Sequence, residues 1–398
     1  MLTVAEAAAT AVTLGSYLPV PLASVFDPAF LRSTSLYQEF VHRLVLRVFR
    51  EAGLEDAARD RGTTPEIIAR AGFDAERALV PVDWMLRHLG ARDRLEAVRT
   101  GRGPAVFRLR DRLPDLDPSP LAEEQARHDP SGTPAYVLAR AVAGDYPAFL
   151  AGRVAGEAVL FSPARLRLWL DYFSNDNALY AVNNRVAALA LAEWLPRPAG
   201  AVLEVGGGLG SGTVAALEAL GEAGRLGEIE EYRFTELIPA FHRRGQAVLE
   251  ARFPGAPRLT FAPLDMNRPF AEQGVPLGSM SAIYAVNTLH VARDLGATLA
   301  EIFRALVPGG RLVAGECIRP FPGQPVDAEF VFNLMEAFRA PRLHPDWRPN
   351  GGFLTPEQWT RALDAAGFVD VRFLPDVRRV RDRFPMFHVG AIGAARPT

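Results

Sequence analysis

The pattern of apolar and polar residues changes after Pro198. Beyond this point, short apolar runs alternate with longer runs of helical period. Short apolar runs bounded by turn residues are typical of buried strands, and their alternation with helices indicates a parallel sheet with crossover helices. We therefore predict an α/β domain with a seven-stranded, mostly parallel sheet. The predicted strands are 201–205, 232–236, 259–261, 282–286, 311–315 and 369–374, with a seventh at 387–392 that is expected to pair near the edge.

The first half of the chain is predicted to be mainly α-helical. Its pattern is amphipathic over 35–58, and Thr64, followed by proline and glutamate, is a helix-start signal. The next predicted helices are 64–72 and 74–90, and a short strand is predicted over 103–109. Two helices followed by a β-wing favour a winged-helix unit. The near-neutral charge of the chain favours dimerisation over DNA binding for this unit.

A region rich in proline and acidic residues, 114–129, predicts a linker. The pattern is helical again over 134–194, where several aromatic residues indicate packing between the two halves of the chain. These boundaries divide the chain into a winged-helix-like domain (1–120), a helical connector (121–195) and an α/β catalytic domain (196–398).

Composition narrows the class of protein. The 398 residues suit two domains, and 49% apolar residues, 23% charged residues and a net charge of −2 are typical of a soluble enzyme that does not bind nucleic acid. The single cysteine, Cys317, excludes an intramolecular disulfide and suits a reducing compartment, so we expect the cytoplasm. Residues 1–26 do not resemble a signal peptide, and no segment offers about 20 uninterrupted apolar residues for a membrane span.

A glycine-rich turn joins the first predicted strand to a helix. Its spacing is Glu204-x-Gly206-x-Gly208-x-Gly210, and such a turn lets a ligand lie against bare backbone at a helix N-terminus. The dinucleotide fingerprint G-x-G-x-x-G fails here, because its third glycine would fall on Ser211. The spacing resembles the E/D-x-G-x-G-x-G motif of class I methyltransferases.

This resemblance covers residues 200–398 and implies a Rossmann-like domain that binds S-adenosylmethionine. It places further cofactor-binding residues at the carboxyl ends of predicted strands, where open α/β sheets bind ligands. Glu236 matches the acid that accepts hydrogen bonds from the ribose hydroxyls. Asp265 matches the acid that contacts the adenine amino group, with Met266 against the ring. Asn287, where the fourth strand ends, is assigned to the same cofactor site.

His290 follows the fourth strand and resembles the base histidine of small-molecule O-methyltransferases. A hydroxyl is a poor nucleophile unless its proton leaves as the new bond forms, and histidine exchanges protons near neutral pH. Glu316 is the leading candidate to orient the imidazole, with Glu329 and Asp327 as alternatives. The pair also resembles the His-Glu dyad of polyketide C-methyltransferases. Plant-type O-methyltransferases have an additional glutamate that is absent from 352–355 here.

The segment 326–349 is predicted to form a helix and loop over the cleft. Within it, Asn333, Met335 and Phe338 are candidate substrate contacts. No metal is expected. One alternative is a metal held by His290 and His344, because a few winged-helix relatives that methylate carbon beside a keto acid hold iron with histidines at similar positions.

The preferred function is S-adenosylmethionine-dependent methylation of a hydroxyl on a small secondary metabolite, by a homodimer that forms through the N-terminal domain. An alternative enzyme would methylate an acidic carbon of a keto acid or a polyketide-like substrate, with or without a metal. A non-enzymatic alternative is a ligand-sensing winged-helix regulator, against which the intact donor motifs and the near-neutral charge argue.

Overall fold

The structure is a computed structural model that describes residues 1–98, 104–255 and 257–398. Within these ranges the α-helices are α1 Val4–Gly15, α2 Val20–Ala23, α3 Pro28–Glu51, α4 Leu54–Ala57, α5 Thr64–Arg70, α6 Ala75–Gly90, α7 Ser119–His128, α8 Thr133–Leu150, α9 Gly156–Phe161, α10 Leu166–Tyr172, α11 Ala178–Trp194, α12 Ser211–Glu222, α13 Pro239–Arg252, α14 Leu295–Ala305, α15 Glu329–Phe332, α16 Glu336–Arg339, α17 Pro356–Ala365 and α18 Val377–Arg383. The strands are β1 Gly62–Thr63, β2 Glu96–Val98, β3 Val106–Arg108, β4 Gly200–Glu204, β5 Ile229–Thr235, β6 Arg258–Ala262, β7 Met280–Val286, β8 Leu306–Cys317, β9 Val369–Leu374 and β10 Val389–Ala395.

The chain forms two compact units. Unit 1 comprises Met1–Ala8, Pro28–Tyr172 and Phe321–Arg339. Unit 2 comprises Ala9–Asp27, Phe173–Pro320 and Ala340–Thr398. None of the helices in the described ranges is long and apolar enough to cross a membrane.

Unit 2 is built on a seven-stranded sheet, counted over the described residues, in the order β6-β5-β4-β7-β8-β10-β9. Neighbouring strands from β6 to β8 pair in parallel, whereas β10 is antiparallel to both β8 and β9. This arrangement confirms the predicted α/β class with a mostly parallel sheet. Each of the seven predicted strands has a counterpart in this sheet, within a few residues of the predicted bounds.

The seventh predicted strand, β10, pairs near the edge of the sheet, as expected. β10 lies inside the sheet next to β9, which occupies the edge. Every residue of β10 is buried, and at Gly393 an added Cβ would lie 2.5 Å from the Trp194 ring. A strand with this burial needs neighbours on both sides, whereas Val369 in β9 is 48% exposed, as an edge strand tolerates.

The main core of unit 2 fills one face of this sheet. α14 buries Leu295, Leu299 and Ile302, and this spacing places the three side chains on one helix face. α17 buries Trp359 and Leu363 in the same cluster. Each large apolar side chain removed from water contributes about 1.5–3 kcal/mol, so these two helices hold the sheet that carries the residues discussed below.

Unit 1 consists mainly of helices with a small sheet in the order β1-β3-β2. The N-cap of α5 is Thr63, one residue before the predicted cap, and the Glu66 carboxylate accepts a hydrogen bond from the Thr63 amide (2.7 Å). The Thr64 hydroxyl is engaged elsewhere, because it donates to Asp83 (2.8 Å). The predicted cap is therefore corrected by one position, while the helix itself is confirmed.

The predicted linker at 114–129 is wrong, because most of it is the helix α7. Leu121 and Gln125 lie four residues apart on its buried face, and the Gln125 amide donates to the Ser33 hydroxyl (3.0 Å). The first residue of the predicted strand 103–109 lies outside the described residues, and the observed strand is β3. The winged-helix interpretation and the division into three domains stay predictions.

Replacing the N-cap of α17 tests how firmly this helix begins. The Thr355 hydroxyl accepts from the Gln358 amide (3.3 Å), and the Gln358 side chain accepts from the Thr355 amide (2.7 Å). We expect Thr355→Ala to lower the free energy of unfolding by about 1 kcal/mol in urea denaturation. The control is Thr360→Ala inside the same helix, with an expected loss below about 0.5 kcal/mol. Equal losses would contradict the capping role.

Candidate functional site

The carboxyl ends of neighbouring strands in unit 2 bring the predicted cofactor-binding and catalytic residues to one edge of the sheet. The loop after β4 contacts the end of β5, because the Gly207 amide donates to the Thr235 carbonyl (2.8 Å). It also contacts the segment after β7, because the Thr288 hydroxyl donates to the Gly206 carbonyl (3.2 Å). The residues that follow β4, β5 and β7 therefore form one continuous surface at the carboxyl ends of the strands, where open α/β sheets bind ligands.

The glycine turn has a backbone that glycine alone adopts readily. Gly206, Gly208 and Gly210 have φ of +67°, +56° and +84°. At Gly206 an added Cβ would lie 2.4 Å from Thr288, so this part of the loop packs on protein. At Gly208 an added Cβ would meet no heavy atom of the described part of the chain within 4 Å. The turn is therefore closed at Gly206 and has an open face at Gly208.

Glu236 lies directly against this open face. One carboxylate oxygen accepts a hydrogen bond from the Gly208 amide (2.9 Å), and the other accepts from the Ile238 amide (2.7 Å). The side chain is mostly buried. The structure thus brings together two predicted cofactor residues that are 28 positions apart. Leu237 and Ile238, which the sequence analysis did not select, add an exposed apolar surface next to this carboxylate.

Glu204 lies beneath the turn. Its buried carboxylate accepts hydrogen bonds from the hydroxyls of Thr213 (2.5 Å) and Tyr232 (2.9 Å). Burial raises the pKa of Glu204 to about 7, against these two hydrogen bonds, which lower it. The contacts tie the end of β4 to α12 and β5, so this acid holds the turn in place. Direct contact of Glu204 with a cofactor stays a prediction.

Asp265 and Met266 follow β6 at the same edge. The Asp265 carboxylate accepts from the Asn267 amide (2.9 Å), which fixes the turn after the strand. Met266 packs partly buried against the core, and its carbonyl accepts from the Thr298 hydroxyl (3.0 Å). Their predicted contacts with adenine stay predictions.

Asn287 adopts a left-handed backbone conformation at the end of β7, with φ of +50°. Its amide donates to the Gly315 carbonyl (2.8 Å), which joins the end of β7 to β8. Its side-chain Oδ1 is buried without a hydrogen-bond partner among the described residues. A buried acceptor without a partner has an energetic cost, and a strained residue at a strand end is commonly part of a functional site. Asn287 is therefore suited to contact a bound ligand.

His290 and Glu316 form a buried pair. His290 lies in the short turn after β7, Glu316 lies in β8, and the imidazole Nδ1 is 2.6 Å from the Glu316 carboxylate. The other carboxylate oxygen accepts from the amides of Leu289 (2.9 Å) and His290 (3.3 Å). Glu316 is 0% exposed and His290 is 5% exposed. The carboxylate therefore fixes both the turn and the orientation of the imidazole.

The two alternative partners of His290 lie in unit 1. Glu329 accepts from the Val326 amide (2.9 Å), and Asp327 lies 3.9 Å from the imidazole of His88. Unit 2 instead places Phe353 beside His290, with ring centroids 4.8 Å apart, in the segment where plant-type enzymes have an additional glutamate. The contact that the structure gives within unit 2 is the one between His290 and Glu316.

The candidate substrate residues lie in unit 1. Asn333 and Phe338 are buried and Met335 is half-buried. Their role in substrate binding stays a prediction.

His344 has partners of its own. Its ring stacks on Trp347 at a centroid distance of 4.5 Å, and its Nδ1 accepts from the Asp346 amide (3.3 Å). Among the described residues, no group of three or more histidine, cysteine, aspartate or glutamate side chains is placed to hold a metal ion. The alternative of a metal held by His290 and His344 stays a prediction.

Sequence reasoning missed Arg348. This arginine is 0% exposed and donates to the carbonyls of Ala292 (3.1 Å) and His290. Its position in a loop rich in proline and arginine gave no signal of burial. The site also includes Asn175, which donates to the Ser211 carbonyl at the start of α12 (2.8 Å) and accepts from Asn184 (2.8 Å). Two adjacent asparagines in the mainly apolar helix α11 were the available signal for this contact.

Comparison with known proteins shows what the chain is similar to. No protein-family model matches the sequence. In sequence, the chain is 30% identical over 336 residues to highly reducing polyketide synthase 2 of Gibberella zeae, and this match covers 80% of the chain but 12% of the synthase.

Solved structures match almost the whole chain. The CurJ carbon methyltransferase is similar with a TM-score of 0.73 at 20% identity, covering 100% of both chains. The citrinin polyketide synthase CMeT domain is similar with a TM-score of 0.68 at 19% identity, covering 100% of this chain and 98% of that one. The chain has the Rossmann-like methyltransferase fold. These matches confirm the fold that the resemblance to class I methyltransferases implies.

The raised pKa of Glu204 predicts a pH-dependent stability. Because the folded protein holds this proton more tightly than the unfolded chain, the group favours folding below 4.5, its ordinary pKa, and this contribution is lost as the pH rises through about 7. Between about pH 4.5 and about pH 8, the free energy of unfolding of wild type should fall by up to about 3 kcal/mol relative to that of Glu204→Gln. Urea denaturation at each pH measures this difference. Glu222→Gln, an exposed change in α12, is the control and should follow wild type. Parallel curves for wild type and Glu204→Gln would contradict the assignment.

Proposed function

We propose that this chain transfers a methyl group from S-adenosylmethionine to an acidic carbon of a polyketide-like ketoacyl substrate. The contact between His290 and Glu316 carries the proposal, because it supplies an oriented base at the ligand-binding edge of the sheet. The similar proteins favour carbon as the acceptor, since one is a carbon methyltransferase and another is a polyketide synthase. The chain spans about an eighth of that synthase, so the substrate is part of the proposal.

The residues present fit the methyl donor. The open face at Gly208 lets a ligand approach the backbone, the carboxylate of Glu236 adjoins it, and Asn287 offers a buried acceptor without a partner. The chain is also similar to the CalH trans-methyltransferase, with a TM-score of 0.61 at 20% identity, covering 92% of this chain and 91% of that one. That structure is a complex with SAH. When bound, S-adenosylmethionine supplies a methyl group activated as a sulfonium.

His290 serves as the general base in this proposal. With Nδ1 donating to Glu316, the lone pair of the neutral imidazole is on Nε2, and this nitrogen takes the proton from the carbon between the two carbonyl groups of the substrate. The electron pair left on that carbon forms the bond to the methyl group as the bond from methyl to sulfur breaks. Glu316 stabilises the positive charge that the imidazole gains.

The comparisons do not confirm the preference for an oxygen acceptor. His290 could also take a proton from a hydroxyl, but Phe353 lies in the segment where the second glutamate of plant-type O-methyltransferases is expected.

No observation supports the alternative of a ligand-sensing regulator. A cytoplasmic location, a homodimer through the N-terminal domain and substrate contacts from Asn333, Met335 and Phe338 remain parts of the proposal.

Product analysis tests the proposed reaction. We expect the protein, given a 3-ketoacyl thioester and S-adenosylmethionine with a ¹³C-labelled methyl group, to form a product whose label is bonded to carbon by NMR. His290→Gln should lower kcat by about 10²- to 10⁴-fold, because it removes the base. Its dissociation constant for S-adenosylhomocysteine should be unchanged. A label on oxygen, or full turnover by His290→Gln, would contradict the proposal.

The open face of the glycine turn can be tested by adding one methyl group. Gly208→Ala should weaken binding of S-adenosylhomocysteine roughly tenfold or more in calorimetry, a loss of about 1.4 kcal/mol, because the Cβ occupies the approach to the backbone. Gly224→Ala is a matched control, since Gly224 also has a positive φ (+66°) and no heavy atom near an added Cβ. Both variants should lose about 1–2 kcal/mol of stability from the strained backbone. Equal binding by the two variants would show that the ligand does not lie on Gly208.

A further inference from the structure

A buried arginine lies directly behind the proposed base. Arg348 is 0% exposed, and its guanidinium donates to the main-chain carbonyls of His290 and Ala292. These carbonyls lie in and just after the short turn Leu289–Val291. A cation that binds the last carbonyls of a helical turn both satisfies them and complements the dipole of the turn. The guanidinium thus fixes the backbone of the residue whose side chain acts as the base.

The loop that carries Arg348 is itself held in place. The amide and carbonyl of Arg348 pair with those of His344 at 2.9 Å in both directions, which closes a short loop over 344–348. Between them, Trp347 is buried in the core of unit 2, and an added Cβ at Gly296 would lie 3.3 Å from its ring. His344 stacks on that ring. His344 therefore helps to hold the loop that carries the guanidinium of Arg348.

The positive charge lies near the dyad. Burial lowers the pKa of Arg348 to about 10, while the charges of Glu316 and Asp294 raise it, so the guanidinium is charged at neutral pH. Its charge offsets that of Glu316, which would otherwise be a buried negative charge beside a neutral imidazole. With a neutral imidazole, the three side chains of Arg348, Glu316 and His290 carry no net charge together. Proton uptake by His290 would add one positive charge to this set. In general, a nearby positive charge disfavours the charged form of an imidazole, and a nearby carboxylate favours it.

Unit 2 places other ionisable groups in the segments around the turn. The segment after the turn contributes Asp294, which pairs with Arg342 (2.7 Å). The same segment contributes Arg293, and the Arg348 loop contributes His344 and Asp346. Arg319 approaches from the end of β8, where it donates to the Phe353 carbonyl (2.9 Å). Among these contacts, those of Arg348 reach the His290 backbone directly.

We propose that Arg348 is a positioning residue for methyl transfer. By holding the carbonyls of His290 and Ala292 and placing a positive charge beside Glu316, it keeps the imidazole of His290 in the orientation and the neutral state that a base requires. The inference rests on the proposed function of His290 as the base. In this proposal, the loop 344–348 positions Arg348, and this function requires neither a metal nor contact with the substrate.

The test compares two substitutions. Arg348→Met removes the charge and both hydrogen bonds, and Arg348→Lys keeps the charge but cannot reproduce the forked contact. We expect Arg348→Met to lower kcat at least tenfold with little change in KM. We also expect the acid limb of its pH profile to move to higher pH by on the order of one unit. Arg348→Lys should keep the acid limb in place and lower kcat to a smaller extent.

The control is Arg361→Met, because Arg361 is exposed and donates to the Asp346 carbonyl in the same loop (2.6 Å). This control should keep the kcat and pH profile of wild type. Affinity for S-adenosylhomocysteine and thermal unfolding report folding separately. If Arg348→Met does not fold, Arg348→Lys decides: a lowered kcat with unchanged affinity supports the role, and a wild-type kcat overturns it.

A second measurement separates this inference from the proposed function. NMR of protein labelled with ¹⁵N-histidine, with the His290 signal assigned by its loss in His290→Gln, follows proton uptake by the imidazole without any turnover. The midpoint should move to higher pH in Arg348→Met. An unmoved midpoint together with a wild-type kcat would overturn the role of Arg348. Absence of methyl transfer by wild type would contradict the proposed function, while the NMR result would still decide the role of Arg348.

Discussion

The buried carboxylate of Glu316 is the group on which the site depends. A charge with no solvent exposure is stable only when it is paired and hydrogen-bonded. Here it accepts from the imidazole of His290 and from two successive amides of the turn after β7, and Arg348 lies behind that turn. Removing any of these partners would leave a buried charge incompletely satisfied. The requirement to satisfy one carboxylate therefore determines where the base lies.

The sheet makes this arrangement possible. β7 and β8 pair in parallel, with Val286 opposite Gly315, so the next residue of β8 is Glu316 and the chain after β7 turns across it. The left-handed Asn287 begins this turn and donates to Gly315. The glycine turn after β4 meets the same segment through Thr288. The donor-binding residues and the base are thus fixed by the register of three neighbouring strands.

The sequence predicts the parts of the site that depend on local pattern. The glycine spacing, the acid after β5 and the histidine after β7 each follow a recognisable strand, and parallel pairing brings them to one edge. Arg348 could not be predicted, because its burial depends on a loop that returns to the sheet from 58 residues beyond His290. The hydrogen bond between Glu204 and Tyr232 could not be predicted either, because it joins side chains of two neighbouring strands.

The same distinction applies to the fold. The strands have strong local patterns that predict them, whereas the full order of strands in the sheet depends on contacts distant in sequence. α7 was missed because proline and acidic residues outweighed the spacing of its two buried residues. The segment 321–339 belongs to unit 1 although its flanks belong to unit 2, and order along the chain carries no information about that exchange.

The proposed reaction depends on removal of a proton from carbon, and this step can be measured without methyl transfer. With S-adenosylhomocysteine in place of the donor, the protein should exchange the acidic hydrogen of a 3-ketoacyl thioester with deuterium from D₂O faster than buffer alone. His290→Gln should abolish this acceleration. Exchange at the buffer rate with wild type, or equal acceleration by wild type and His290→Gln, would contradict the account.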